Sequence, residues 1–205
     1  MSTLCSCLRL TFCLDIGANL TDSVFRGVYH GKRDHPDDFD DILTRAWDAN
    51  VDKIIITSSN LHDVHEALKI CSHDARLFTT AGVHPCRAND FEKSGNPDKY
   101  LQRIITEIET HRDKIVAIGE FGLDYDRFFF AEKDVQLKYF EKQFEIVRRF
   151  PDLPLFLHNR NTGDDFLNIM QAHRGEFQHG VVHSFTGTAD EMYQMLSLGF
   201  YIGTA

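Results

Sequence analysis

The sequence "AIGEFGLDYDR", residues 117–127, joins an apolar run to a glutamate and two aspartates. The run begins at Ile115 and is rich in β-branched residues, which is typical of a buried strand. Glu120 follows the run directly, although burying a carboxylate is costly unless its charge is compensated. This stretch therefore predicts a strand that ends beside a compensating positive charge.

Five other short runs share this character, and stretches with helical spacing of apolar residues lie between them. The runs carry little period-two alternation, so both faces of each strand are expected to be covered, as in parallel sheets packed by helices. A further stretch, "GFYIG" at 199–203, begins a seventh strand. The five runs are "TFCLDI" (11–16), "KIIITS" (53–58), "LFTTAG" (77–82), "PLFLH" (154–158) and "GVVHSF" (180–185).

Repeated βα units fit either an open doubly wound sheet or a closed (β/α)₈ barrel. The sequence contains no G-x-G-x-x-G or G-x-x-x-x-G-K-[ST] motif. The strongest sequence evidence for an open, nucleotide-binding sheet is therefore absent. A barrel typically needs about 250 residues and eight strands. We expect residues 1–205 to form a single α/β domain, and either the barrel is incomplete here or the chain is a fragment.

Composition limits the classes of protein that this chain can represent. The net charge of −9 argues against a broad basic face that binds nucleic acid by counterion release, although a metal ion could supply positive charge locally. The five cysteines are odd in number and lack a paired CxxC spacing, which favours a reducing compartment. With no apolar run of transmembrane length and no basic import signal, we expect an intracellular protein of the nucleus or cytoplasm, with no membrane association.

Polar residues recur where the predicted strands end. Asp15, His84, Glu120, His158 and His183 each lie at or just after the carboxyl end of a different run. In parallel βα architectures these ends share one rim, where active sites are built. The five side chains are therefore expected to converge.

Glu120, His158 and His183 form a ligand set for zinc or another transition metal, and a further carboxylate would suit manganese or magnesium. Such an ion would compensate Glu120 and lower the pKa of a water molecule. The alternative is a strand-end glutamate paired with a local arginine or lysine, beside histidines satisfied by the backbone. Three such residues at successive strand ends favour the metal site.

Three more residues are candidates near this site. His84, in "GVHPC", either caps a turn or contacts a substrate phosphate. Arg160 lies two residues beyond His158, on the same side of an extended segment, and either binds a phosphate or pairs with Asp124 or Glu120. Asp124 either orients a metal ligand or caps its loop.

Phe128, Phe129 and Phe130 form an unusual triplet just past the predicted site. Aromatic faces can stack nucleic-acid bases, but consecutive phenylalanines in such a loop more often pack within it. We expect loop packing, and the triplet is not included among the site residues.

A set of motifs in this sequence resembles the TatD-type metal-dependent deoxyribonucleases. The resemblance runs from about residue 12 to the end of the chain, and "LTDSVFRGVYHGK" and "QLKYFEKQFEI" are especially similar to its eukaryotic branch. "GxHP" alone would be weak evidence, but the motifs together are highly specific. They are "DIGANLTD", "AGVHPC", "VAIGEFGLDYDR", "LPLFLHNR", "VVHSFTGT" and "YIGT".

The resemblance implies a TIM-barrel hydrolase that cuts DNA phosphodiesters, often from the 3′ end, with one or two divalent ions such as Mg²⁺, Mn²⁺ or Zn²⁺. Glu120 would be the catalytic, metal-binding carboxylate, with His158 and His183 as further metal ligands. His84 and Arg160 would lie near the scissile phosphate.

Two departures from the family pattern are visible. Many relatives carry D-x-H-x-H in the first strand, where this chain has Gly17 and Asn19. The family's last metal-binding aspartate lies in an "ETD"-like motif on the eighth strand, whereas this sequence stops at Ala205. The resemblance therefore predicts a C-terminally truncated TatD-like domain in which strands seven and eight are incomplete or missing.

Three functional hypotheses follow from the sequence. The first is a metal-dependent deoxyribonuclease, of 3′–5′ exonuclease type, that acts as a monomer on DNA without an obligate protein partner. The second is a metal-dependent hydrolase of a small ester or amide, which the acidic net charge favours. The third is a catalytically inactive, truncated relative that binds without cleaving.

Overall fold

The computed structural model describes residues 12–204, and these residues build a seven-stranded parallel sheet. Each strand pairs with the next one along the chain. This confirms the predicted alternation, except that Thr11 of the first run, together with Cys5 and Cys7, lies outside the described residues. The strands are β1 (Cys13–Ala18), β2 (Val51–Ile56), β3 (Leu77–Ala81), β4 (Ile115–Asp124), β5 (Leu155–Arg160), β6 (Gly180–His183) and β7 (Tyr201–Ile202).

Helices connect consecutive strands, and side-chain caps fix where several of them begin. Asn60 accepts the backbone N–H of Asp63, and Thr188 and Glu191 form a capping box. Across residues 12–204, none of the helices has both the length and the hydropathy to cross a membrane. The helices are α1 (Phe39–Asp48), α2 (Leu61–Cys71), α3 (Asn89–Lys93), α4 (Pro97–Thr110), α5 (Lys133–Arg149), α6 (Asp165–Ala172) and α7 (Ala189–Ser197).

The sheet is strongly curled. β1 and β6 are first and sixth in the strand order, so a flat sheet would separate them by about 24 Å. Yet a β-carbon built on Gly17, in β1, would lie 2.6 Å from Cε1 of His183, in β6. The sheet is therefore the wall of a barrel, which confirms the TIM (β/α)₈ class, with seven of its strands and two open edges within residues 12–204.

The main core lies between β4, β5 and the helices outside them. Phe121 of β4 packs edge to face against Phe140 and Phe144 of α5, with ring centroids 5.5 and 5.8 Å apart. All three rings are fully buried, which gives aromatic contacts beyond simple area burial. This packing gives the strand ends at the rim a rigid support.

The loop that follows β4 carries the phenylalanine triplet. Phe128 packs on Tyr125 with ring centroids 5.1 Å apart, but it is still 42% exposed. Phe129 and Phe130 are 78% and 51% exposed. The triplet thus packs within its own loop only in part: Phe129 and Phe130 contact each other with ring centroids 4.4 Å apart, but both rings remain largely open to solvent.

Candidate metal and phosphate site

One cavity of about 640 Å³ lies at the carboxyl ends of the strands. Glu120 of β4, His158 and Arg160 of β5, and His183 of β6 all line it, and His84 reaches it from the loop after β3. Four of the five side chains predicted to converge, those of His84, Glu120, His158 and His183, therefore line one cavity, and Arg160 joins them. The cavity is also lined by Asn19, Thr21, Asp22, Thr57, Ser59, Asp63, Cys86, Arg87, Arg127, Phe130 and Ser184.

Asp15 does not join this group, so its predicted convergence is wrong. Its side chain is exposed, and Oδ1 accepts the N–H of Gly17 at 3.0 Å, which holds the carboxylate against its own strand. Asn19 and Thr21, from the loop that follows β1, line the cavity instead.

Two glycines set the position of Glu120. A β-carbon at Gly119 would lie 2.1 Å from the carbonyl oxygen of Phe156, and one at Gly122 would lie 1.9 Å from that of His158. Both glycines have φ near +146°, a conformation that other residues rarely adopt. The pattern G-E-F-G therefore lets β4 lie close against β5, with Glu120 buried beside His158.

His158 lies between two buried carboxylates. Its Nδ1 is 2.8 Å from Oε1 of Glu120, and its Nε2 is 3.0 Å from Oδ2 of Asp124. Burial alone would lower the pKa of His158, but these two hydrogen bonds outweigh it and raise the pKa. Burial opposes the charge of both carboxylates, yet their bonds to His158 hold the pKa of each below its usual value.

His84 completes a compact group with this pair. Its Nε2 lies 3.2 Å from Nδ1 of His158 and 3.9 Å from Oε1 of Glu120, and burial lowers its pKa to about 4. Its Nδ1 accepts the backbone N–H of Cys86 at 3.1 Å. A neutral imidazole that accepts at Nδ1 carries its proton on Nε2, so His84 offers a donor to the cavity in this arrangement.

The predicted ligand set Glu120, His158 and His183 is therefore brought together only in part. Among the described residues, the ligand atoms that lie within 4.8 Å of one another belong to His84, Glu120 and His158. His183 lines the same cavity, is half-buried, and has Nε2 at 2.9 Å from Oγ of Ser184. Burial lowers the pKa of His183, which favours the neutral ring that a metal requires.

Three arginines line the cavity, together with the carboxylates of Asp22, Asp63 and Glu120. Arg87 and Arg127 line it together with Arg160. Of these three, only Arg160 was predicted from the sequence as a site residue. The ion pair of Asp124 is with Arg127 at 3.5 Å, and Arg160 forms no ion pair with another residue of 12–204. The alternative in which Arg160 pairs with Asp124 or Glu120 is thus not found, and Arg160 lines the cavity. Arg127 closes the motif "GLDYDR", which was the signal available in the sequence.

Comparison with known sequences connects this site to a family. The sequence model described as "TatD related DNase" matches residues 14–205. The chain is 46% identical over 193 residues to the protein named deoxyribonuclease Tat-D of Schizosaccharomyces pombe, covering 92% of this chain and 62% of that protein. It is 32% identical over 189 residues to the 3′-5′ ssDNA/RNA exonuclease TatD of Escherichia coli K12, covering 92% of this chain and 65% of that protein.

Solved structures agree with this comparison. A hydrolase described as a TatD family protein from Entamoeba histolytica superimposes with a TM-score of 0.87 at 39% identity, covering 95% of this chain and 65% of that one. An uncharacterized amidohydrolase from Saccharomyces cerevisiae gives a TM-score of 0.86 at 31% identity, covering 95% and 68%. The chain thus spans just under two thirds of the curated relatives described above. With this fold, these motifs and the match over 14–205, the chain belongs to the family of TatD-related DNases.

Proposed function

We propose that the protein is a metal-dependent deoxyribonuclease that hydrolyses DNA phosphodiester bonds, as a 3′–5′ exonuclease. The observation that carries this proposal is the buried Glu120–His158 pair, 2.8 Å apart, in a cavity lined by three arginines. A carboxylate beside an imidazole suits a divalent cation, and guanidinium groups suit phosphate. The names of the fission-yeast and E. coli relatives support the type of bond and the polarity.

Glu120, His158 and His183 would hold one or two divalent cations, Mg²⁺, Mn²⁺ or Zn²⁺. The donor set fits, because Glu120 is 8% exposed, its lowered pKa keeps it ionised 2.8 Å from His158, and His183 lines the same cavity. When bound, such a cation neutralises charge on the phosphoryl oxygens and lowers the pKa of a water molecule.

The chain's own residues would do the remaining work. Asp124 accepts the Nε2–H of His158 and so fixes the ring, and a cation held by Glu120 would replace the proton on Nδ1, which lies 2.8 Å from Glu120. His84, with its proton on Nε2, would donate to a phosphate oxygen. Arg160 would bind the same phosphate through its guanidinium, which can form two parallel hydrogen bonds.

The charge of the cavity also bears on the alternative substrates. Arg87, Arg127 and Arg160 favour an anionic diester over a neutral ester or amide. The overall charge of −9 does not oppose this, because the three guanidinium groups and a cation held by Glu120 would supply positive charge where the phosphate would lie.

The test is cleavage of single-stranded DNA labelled at its 5′ end, with Mg²⁺, Mn²⁺ or Zn²⁺ and with EDTA. We expect stepwise shortening from the 3′ end that depends on the metal and falls at least about 100-fold in Glu120→Gln. Glu132→Gln, an exposed carboxylate that precedes α5, is the control and should cleave normally.

Three results would contradict the proposal. Undiminished cleavage by Glu120→Gln would remove that residue from the mechanism. Hydrolysis of a small ester or amide, with none of DNA under any metal, would select the second hypothesis. The third hypothesis, an inactive relative, predicts a different calorimetric result. It would be favoured if the natural protein shows no saturable metal binding, or if the binding it shows is not lost in His158→Ala.

The setting of this function is part of the same proposal. The thiols of Cys13, Cys71 and Cys86 are free, which supports an intracellular protein of the nucleus or cytoplasm. Burial raises the pKa of the Cys71 thiol to about 12, so this group is unreactive. DNA is the partner that the site suits, and the protein would act on it as a monomer.

A further inference from the structure

Phe129 and Phe130 present two large apolar rings to solvent. They are 78% and 51% exposed, and their centroids lie 4.4 Å apart with the planes tilted by 40°. Exposed aromatic rings stabilise the fold less than buried ones, since much of their apolar surface remains in water. Two adjacent rings of this kind form a platform, called here the Phe129–Phe130 platform.

The loop that carries the platform is anchored at several points. The hydroxyl of Tyr125 donates to Asp165 at 2.6 Å, Asn161 donates to the carboxylate of Asp126 at 3.0 Å, and Asn89 donates to the carbonyl of Phe130 at 2.7 Å. These partners come from two parts of the chain, the segment 161–165 after β5 and the start of α3. The rings are thus held outward by a fixed backbone, which reduces the entropy lost when a ligand stacks on them.

The platform is continuous with the candidate active site. Phe130 lines the same cavity as Glu120, Arg87 and Arg127. Its backbone N–H donates to the carbonyl of Arg127 at 3.0 Å, so one tight turn presents a guanidinium at one end and an aromatic ring at the other. Positive groups beside exposed rings match the alternation of phosphate and base along a single strand.

We propose that the Phe129–Phe130 platform stacks an unpaired base of single-stranded DNA whose neighbouring phosphate lies among the arginines of the cavity. This inference rests on the proposed function, and it adds to the proposed active site a subsite that binds the base. Stacking on an aromatic ring tolerates any base, so the subsite would select for single-strandedness and not for sequence.

The test compares two labelled probes of equal length, oligothymidylate and an abasic deoxyribose phosphate strand, by fluorescence anisotropy in EDTA, where cleavage does not interfere. The protein is expected to bind oligothymidylate more tightly than the abasic strand. In the double variant Phe129→Ala, Phe130→Ala, binding of oligothymidylate should weaken by about 5- to 150-fold and approach that of the abasic strand. Both rings are exposed, so the variant is expected to fold, and circular dichroism checks this.

Two matched variants sharpen the result. Tyr193→Ala removes a ring of similar exposure, 64%, that lies on α7 and does not line the cavity, and it should leave the preference for bases unchanged. Phe129→Trp should bind oligothymidylate as tightly as the natural protein, whereas Phe129→Leu, which is apolar but has no flat ring, should bind it more weakly.

The proposal is overturned if the double variant keeps the preference for bases, or if leucine serves as well as phenylalanine. The second outcome would mark the rings as a general apolar contact for another protein or a second copy. Metal-dependent DNA cleavage that needs Glu120 but not the two rings would refute the platform and leave the proposed function standing. Loss of base-dependent binding in a protein that never cleaves DNA would support the platform and refute the cleavage.

Discussion

Substituting Asp124 by asparagine tests how the site orients His158. Asp124 is fully buried, and its two oxygens accept hydrogen bonds from two different donors, with Arg127 also 3.5 Å from Oδ2. Oδ2 faces Nε2 of His158 at 3.0 Å, and Oδ1 accepts the backbone N–H of Asp126 at 3.1 Å. An asparagine has one oxygen and one NH₂ group, so in either orientation its NH₂ group faces a donor.

The expected result is weaker metal binding with little change in shape. If the NH₂ group faces His158, the ring has to carry its proton on Nδ1, which is the nitrogen that lies 2.8 Å from Glu120. Loss of such an orienting carboxylate lowers metal affinity by about 10- to 100-fold. This equals about 1.4–2.7 kcal/mol of binding free energy.

Isothermal titration calorimetry with Mn²⁺ measures this effect. Asp126→Asn, the same chemical change on an exposed residue of the same loop, serves as the control and should bind Mn²⁺ normally. A dissociation constant for Asp124→Asn within about twofold of the natural protein, with unchanged circular dichroism, would refute the orienting role of Asp124.

Two further predictions concern stability. Gly122→Ala should lower the free energy of unfolding by about 2–6 kcal/mol, because the new β-carbon adds overpacking to an unfavourable φ. Urea denaturation measures this against Gly163→Ala, which also has positive φ but open space around it, and similar losses in the two variants would contradict the close approach of β4 and β5. In EDTA, burial lowers the pKa of His84 from 6.5 to about 4, so the unfolded chain binds a proton that the folded chain does not. Stability should therefore rise by about 3 kcal/mol from this group as pH increases from 4 to 7. His84→Gln should flatten that rise. The reasoning would be refuted if the free energy of unfolding changes by the same amount between pH 4 and pH 7 in this variant and in the natural protein.

The sequence was sufficient for the sheet and for most of the site. Runs of β-branched residues mark strands because their side chains suit a doubly covered sheet, and the parallel order then brings Glu120, His158 and His183 to one rim. His84 and Arg160 follow from the same rule. These residues lie on strands or directly after them, where local pattern determines position.

The remaining features depend on contacts between distant parts of the chain. Phe129 and Phe130 face solvent because the loop is anchored by partners such as Asn89, 41 residues from Phe130 in sequence. Asp15 does not line the cavity, and its carboxylate accepts the N–H of Gly17, a local bond that the strand pattern does not reveal. Arg127 lines the cavity because of the conformation of the loop after β4, which also carries Phe129 and Phe130. Sequence spacing alone could therefore not locate its side chain.

The contacts of the glycines determine which substitutions a second mutation can rescue. At Gly119 and Gly122, the nearest atom to an added β-carbon is a backbone carbonyl oxygen, of Phe156 and of His158. Shrinking a neighbouring side chain cannot move that oxygen, so a genetic screen should recover no intragenic suppressor that restores space at either position. At Gly17 the nearest atoms belong to the ring of His183, and a suppressor that trims this ring would restore the fold while removing a proposed metal ligand. Selection for folding and selection for activity should therefore give different suppressors of a Gly17 substitution.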